Sequence, residues 1–184
     1  MLTLRPFRDP DWAGVWPVLQ ATFAAGETYS FPPDIGEAEA RKTWIDVPMA
    51  TFVAEEDGRI LGTYFIKPNQ PGLGAHVCNC GYVVAAGAEG RGIAAQMCEH
   101  SQRWAVEHGF LAMQFNFVVS TNERAVRLWE RLGFSVVGRL PGAFRHRRLG
   151  YVETGTAPFP DPEKATRPCH FILMSKPLNG HPSR

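Results

Sequence analysis

The spacing of hydrophobic residues changes along this chain, and that spacing separates strands from helices. LTLRPF (Leu2–Phe7) alternates apolar and polar positions and predicts a strand with one buried face. Between Asp9 and Gly26 the apolar residues Trp12, Val15, Trp16, Leu19 and Phe23 recur at helical intervals; an Asp-Pro pair opens that helix and Gly26 closes it. Pro17 within it predicts a kink or a division. The loop ETYSFPPDIG follows, then a short helix carrying Ala40, Trp44 and Ile45. Thr51–Glu55 and Ile60–Lys67 read as strands on either side of Asp57-Gly58, the dipeptide a two-residue hairpin turn favours.

Beyond NQPGLG, the segment HVCNCGYVVA reads as a strand of apolar and small residues. A glycine turn leads into a helix ending near His108 at Gly109, with Ile93, Met97, Trp104 and Ala105 on one face. Leu111–Val119 is another strand. STNERAVRLWERLGF reads as a helix with Ser120 and Glu123 in capping-box register, Ala125, Leu128, Trp129 and Leu132 along one face, and Gly133 as its stop. Ser135–Leu140 and HFILMSK are strands, separated by a long Pro-rich stretch. The order β-α-α-β-β-β-α-β-α-β-β predicts an α/β protein with a mixed sheet and helices on both faces. A single domain over residues 1–184 is expected, with the Pro-rich 154–168 segment as an insertion that could serve as a lid, a dimer contact or a loose loop, which leaves a homodimer open.

Composition narrows the partners. With 19 basic and 18 acidic residues the net charge is +1, so no global field recruits nucleic acid or an anionic membrane. No apolar run approaches the roughly 20 residues of a membrane helix. MLTLRPFRDPDW lacks the apolar region of a signal peptide, and a cytoplasmic location is the expectation. Cys78, Cys80, Cys98 and Cys169 show no C-x-x-C or zinc-ligand spacing, so they are expected to be apolar thiols in a reducing compartment, with no metal.

The chemistry concentrates in AEGRGIAAQM (Ala88–Met97). A nucleotide P-loop would need Lys-Ser or Lys-Thr after its glycines, and a dinucleotide fingerprint would need a third glycine inside a βαβ unit; neither is present. What survives is a strand, a turn with Gly90 and Gly92, and a helix starting near Arg91–Ile93. Its first amides are free to meet an anion, and Ala94 and Ala95 leave room for one. A structural strand-to-helix turn would read the same way.

YVVAAGAEGRGIAAQM, followed by TNERAVRLWERLGFSVVGR, resembles the Gcn5-related N-acetyltransferase family. Glu89-Gly90-Arg91-Gly92-Ile93-Ala94 matches that family's phosphate loop, and Asn122, Ala125, Leu128, Leu132, Gly133 and Phe134 match its second motif. The resemblance implies an acyl-CoA N-acyltransferase fold, with a central, mostly antiparallel sheet flanked by helices, and acetyl-CoA as co-substrate. It implies that the backbone amides of Arg91 through Ala95 hold the pyrophosphate. Tyr82, Val83 and Val84 would splay from the next strand to pair with the pantetheine arm, and Asn122 would bond that arm. Two positions depart from the family pattern. Glu89 replaces Gln or Arg, a like charge beside phosphate that Arg91 is expected to offset. Trp129 replaces the Tyr that protonates the departing thiolate in many relatives, and an indole N–H cannot release its proton near neutral pH.

Acetyl transfer to an amine also needs a proton acceptor, and Glu27, His76, Glu55 and His170 are the candidates. Glu27 stands foremost because it opens the loop where family members that act on small amines build their acceptor pocket. Tyr29 and Phe31 would wall that pocket, and Asn79 and Asn116, polar residues inside strands, would bind an amino-acid-like acceptor. FRHRRLGY (Phe144–Tyr151) concentrates basic residues, read as a solvated face, a site for an anionic substrate, or a contact for the ribose phosphate of CoA. The resulting expectation is acetyl transfer to a small amine or amino acid by direct attack. Its rivals are acetylation of peptide N-termini and a non-catalytic CoA-binding module.

Overall fold

The computed structural model describes residues 1–148 and 170–177. Seven strands join one sheet: β1 (Thr3–Pro6), β2 (Ala50–Glu56), β3 (Arg59–Pro68), β4 (Val77–Val84), β5 (Ala112–Val119), β6 (Ser135–Pro141) and β7 (His170–Pro177), ordered β1-β2-β3-β4-β5-β7-β6. Every neighbouring pair is antiparallel except β4 and β5, which run parallel. The helices are α1 (Trp12–Ala25), α2 (Glu37–Arg41), α3 (Ile93–Glu107) and α4 (Glu123–Arg131). The architecture is the mixed, mostly antiparallel sheet flanked by helices that the sequence predicts.

Alternation along β2 and β3 assigns the two faces. Phe52, Ala54, Tyr64 and Ile66 pack with Ile93, Met97 and Cys98 of α3, while Val53 and Phe65 pack with Val15, Leu19 and Phe23 of α1. The hairpin between these strands turns on Asp57 (φ 51°) and Gly58 (φ 76°), the paired positive φ angles of a tight two-residue turn. α1 continues unbroken through Pro17. Burial of Val15, Leu19 and Phe23, about 1.5–3 kcal/mol each, outweighs the roughly 3 kcal/mol cost of an interior proline.

The short second helix differs from its expected form. After α2 the chain widens into a π-type turn at Lys42–Asp46, which buries Trp44 and lets its indole donate to Thr63 Oγ1 at 3.1 Å. The capping box at Ser120 is not formed. α4 starts at Glu123, and its cap is Asn122, whose side-chain oxygen accepts from the Ala125 amide at 3.2 Å. A β-bulge in β5 separates Phe115 from Val118 in the pairing with β7, so Asn116 and Phe117 together oppose a single partner residue.

Cys78, Cys80 and Cys98 are buried free thiols, and Cys169 lies outside the described residues, as does the 154–168 segment. Among the described residues no helix is long and apolar enough to cross a membrane, and no three His, Cys, Asp or Glu side chains group as a metal ion would require.

Candidate functional site

β4 and β5 pair only at Val77 with Ala112 and Cys78 with Met113, and then diverge. The Asn79 side chain bridges the start of the gap, donating to the Gln114 carbonyl at 2.9 Å. Past that bridge lies a cavity of about 500 Å³. It is walled by β4 from Asn79 to Val84, β5 from Phe115 to Val119, the loop at 28–31, and Asn122, Ala125 and Trp129 of α4. The bulge contributes here, because Asn116 and Phe117 both line the opening although they are consecutive in a strand.

At one end of the cleft the chain turns into α3. Gly87, Gly90 and Gly92 take φ angles of 80°, 79° and 76°, a conformation that side chains resist. Gly92 is the N-cap residue and no side chain caps the helix, so the amides at its start face open space. A methyl carbon placed on Gly92 would find nothing nearer than Gln96 Nε2 at 4.0 Å, and one on Gly90 nothing nearer than Arg124 Nη2 at 4.0 Å. Arg91 does not offset Glu89 as expected. It pairs with Glu56 at 2.6 Å and holds that carboxyl below its ordinary value, because this partner stands across the hairpin where local sequence cannot show it. Glu89 lines the cavity and its carboxylate accepts from the Gly87 amide at 2.8 Å. The free cation beside the turn is Arg124, which has no ion-pair partner among the described residues. Arg124, in the first turn of α4, carries no sequence signal that sets it apart from the other exposed arginines of that helix.

The other end is aromatic. Tyr29 stacks on Phe31 and donates to the Tyr82 carbonyl at 2.9 Å, which ties the 27–36 loop onto β4. That carbonyl is thus already engaged within the protein. Gly81 makes the approach possible: a Cβ there would stand 2.5 Å from Phe65 Cε1 and 3.1 Å from the Tyr29 hydroxyl. Burial pushes the Tyr29 phenol upward, so it keeps its proton. Cys80, also in the cavity wall, is pushed up by burial first and by Cys78 second. The Tyr82 side chain points toward α3, its hydroxyl 2.7 Å from Ser101 Oγ and its ring 5.2 Å from Trp129.

The expected residues divide between the cavity and its surroundings. Tyr29, Phe31, Asn79, Asn116, Asn122, Trp129, Tyr82, Val83, Val84 and Glu89 line it. Each strand asparagine commits one amide N–H within the protein, Asn79 to the Gln114 carbonyl and Asn116 to Asn69 Oδ1 at 2.6 Å. Trp129 is 7% exposed, packs on Phe115 and Phe134, and its indole N–H has no partner among the described residues. Three of the four base candidates stand elsewhere. Glu27 pairs with Arg148 at 2.7 Å, Glu55 pairs with Arg5, and His76 is exposed, its ring bonded to the Leu73 carbonyl at 3.1 Å. His170 is the first residue of β7 and pairs with Pro141. Phe117, 40% exposed at the bulge, lines the cavity and was not anticipated; only the long-range pairing with β7 reveals it.

A sheet opened between two parallel strands, with uncapped helix amides at one end, defines a cleft for an extended ligand carrying an anionic group. The match to known proteins specifies it further. Residues 12–134 match the acetyltransferase (GNAT) family, and the chain belongs to that family. A GCN5-related N-acetyltransferase from Kribbella flavida is 38% identical, with a TM-score of 0.82 over 96% of this chain and 97% of that one. N-acetyltransferase aca1 of Schizosaccharomyces pombe is 36% identical over 106 residues, 57% of this chain and 51% of its own length. A GNAT superfamily phosphinothricin acetyltransferase from Sinorhizobium meliloti, solved in complex with AcCoA, shares the fold at 15% identity and TM-score 0.75, over 96% of this chain and 88% of that one. The chain spans about half the length, or less, of the curated relatives it matches.

Proposed function

We propose that this protein is an acetyl-CoA-dependent N-acetyltransferase that acts on a small amine or amino acid. The observation that carries this reading is the two-pair limit of the β4–β5 ladder, which opens a cleft running from the glycine turn to the Tyr29–Phe31 loop. Family membership and the relative bound to AcCoA identify the extended ligand as acetyl-CoA. The amides from Arg91 to Ala95 and the nearby Arg124 receive its pyrophosphate. The main chain of Val83 and Val84 meets the pantetheine arm. Asn122, its oxygen committed to the cap, retains its amide N–H groups for that arm.

The chain's own residues then position the reaction. A neutral amine entering beside Tyr29, Phe31 and Phe117 attacks the thioester carbonyl, and holding the two reactants together supplies most of the acceleration. Glu27, Glu55 and His76 do not line the cleft, and Glu89 lines it beside the glycine turn with its carboxylate bonded to the Gly87 amide, so the amine's proton leaves through water at the open end. Trp129 donates a hydrogen bond to the departing sulfur without surrendering a proton, and the thiolate takes its proton from the water that received the amine's. Cys80 and Tyr82 hold their protons too tightly to serve as the acid.

The tether from Tyr29 to Tyr82 roofs the acceptor end, which favours a small molecule over a peptide laid along an open groove. Buried, unpaired thiols at Cys78, Cys80 and Cys98 agree with a cytoplasmic setting. Thiol release from acetyl-CoA with a panel of small amines, amino acids and N-terminal peptides tests the proposal. Turnover of a small amine supports it. Preferential peptide turnover favours the peptide enzyme, and tight acetyl-CoA binding with no turnover favours a binding module.

A further inference from the structure

Next to the cleft is a second cavity of about 820 Å³, between the loop from Gly26 to Asp34 and the segment from Ala143 to Arg147. Tyr29, Ser30, Phe31 and Phe117 line both cavities, so the second opens from the acceptor end of the first. No residue of the glycine turn lines it. Resting on the transferase reading, we propose that this second cavity binds an oxyanion group of the acceptor, a carboxylate or a phosphoryl group, through Arg145 and the Nε2–H of His146.

The basic residues of this segment have different tasks. The Arg147 guanidinium donates to the Ala24 carbonyl at the end of α1, and its amide donates to the Gly26 carbonyl at 3.2 Å. Arg148 pairs with Glu27. Both cations are thus spent on strapping the segment against α1. Arg145 lines the cavity, is exposed, and has no hydrogen-bond or ion-pair partner among the described residues. Its planar fork of donors suits a carboxylate or phosphoryl group.

His146 provides the second, independent observation. It is 4% exposed and lines the same cavity. Its Nδ1 accepts from the Arg148 amide at 3.3 Å, so the neutral ring carries its hydrogen on Nε2. That N–H has no partner among the described residues, and a buried donor without an acceptor calls for a ligand that brings one. Among the described residues the wall holds one acid, Asp34, against the cations Arg145 and Arg147. The position at the acceptor end assigns the charge to the acceptor and away from the ribose phosphate of CoA.

The test is equilibrium binding to the protein saturated with CoA, which needs no turnover, using an N-acetyl amino acid, its carboxamide and its phosphonate analogue. The charged members are expected to bind roughly ten- to a hundredfold more tightly than the carboxamide, as charge-assisted hydrogen bonds do. Arg145→Ala should erase that preference, Arg145→Lys should keep part of it, and acetyl-CoA affinity should stay constant in both. The tighter of the two charged ligands identifies the group. Equal affinity for the carboxamide and both charged ligands, or an Arg145→Ala loss common to all three, overturns the proposal. Discrimination without acetylation of any amine keeps this pocket and overturns the transferase reading; acetylation without discrimination does the reverse.

Discussion

Gly92 allows the phosphate end of the cleft to be tested in isolation from folding. Its φ of 76° penalises any side chain, by about 1–2 kcal/mol for alanine. The space around it is open, with Gln96 Nε2 at 4.0 Å the nearest atom to an added methyl, so no packing cost adds to this. Gly92→Ala should therefore lower the melting temperature by only about 2–8 °C in a chain of this size. The same methyl stands at the N-cap of α3, beside the amides proposed to hold the pyrophosphate. Loss of even one charge-assisted hydrogen bond to phosphate, about 1.5–3 kcal/mol, weakens acetyl-CoA roughly ten- to a hundredfold. Gly58 supplies the control: it has the same φ of 76° and nothing within 4 Å, yet it sits in the β2–β3 hairpin. Gly58→Ala should match the thermal loss and leave affinity intact. Isothermal titration with acetyl-CoA and thermal melts of both variants decide the matter. A Gly92→Ala protein that melts early but binds acetyl-CoA within twofold of the wild type would refute the assignment of the turn.

Other outcomes follow from the same geometry. Gly81→Ala pushes a methyl into Phe65 and the Tyr29 hydroxyl. It should cost about 1–3 kcal/mol by chemical denaturation and raise the acceptor's KM more than that of acetyl-CoA. Glu27→Gln should leave the pH–rate profile in place, since Glu27 holds Arg148 outside the cleft; loss of the limb that rises with pH would make it the base after all. His100 is held below its ordinary value of 6.5 by burial first and by Arg103 second, with Glu107 opposing and the Tyr64 hydroxyl 2.5 Å from Nδ1. Below pH 6.5 the unfolded chain takes this proton first, so stability present above that pH is lost as the pH falls. His100→Gln should flatten that part of a melting-temperature profile, and an unchanged profile would count against the depressed value.

What the sequence made legible was local. Asp57-Gly58 carries its own turn geometry, the apolar intervals of α1 and α3 name their buried faces, and Gly90 and Gly92 mark the left-handed turn into α3. What it concealed depends on partners distant along the chain. Arg91 meets Glu56 only because the hairpin folds beside the turn. Phe117 faces the cleft because β7, more than fifty residues later, imposes a bulge. The spacing of Ser120 and Glu123 reads as a capping box, whereas the folded helix starts at Glu123 and is capped by Asn122. His146 read as one member of a basic run, because its burial comes from strapping the segment onto α1.

The two-pair ladder between β4 and β5 also leaves the two halves of the sheet, β1 to β4 on one side and β5, β7 and β6 on the other, with little main-chain bonding between them. A ligand whose arm pairs with the open strand edge acts as the missing rung between them. Acetyl-CoA would then be part of the protein's architecture as well as its reactant. Its binding should slow amide exchange on both halves, and cofactor supply would set how long the folded chain survives heat or proteolysis.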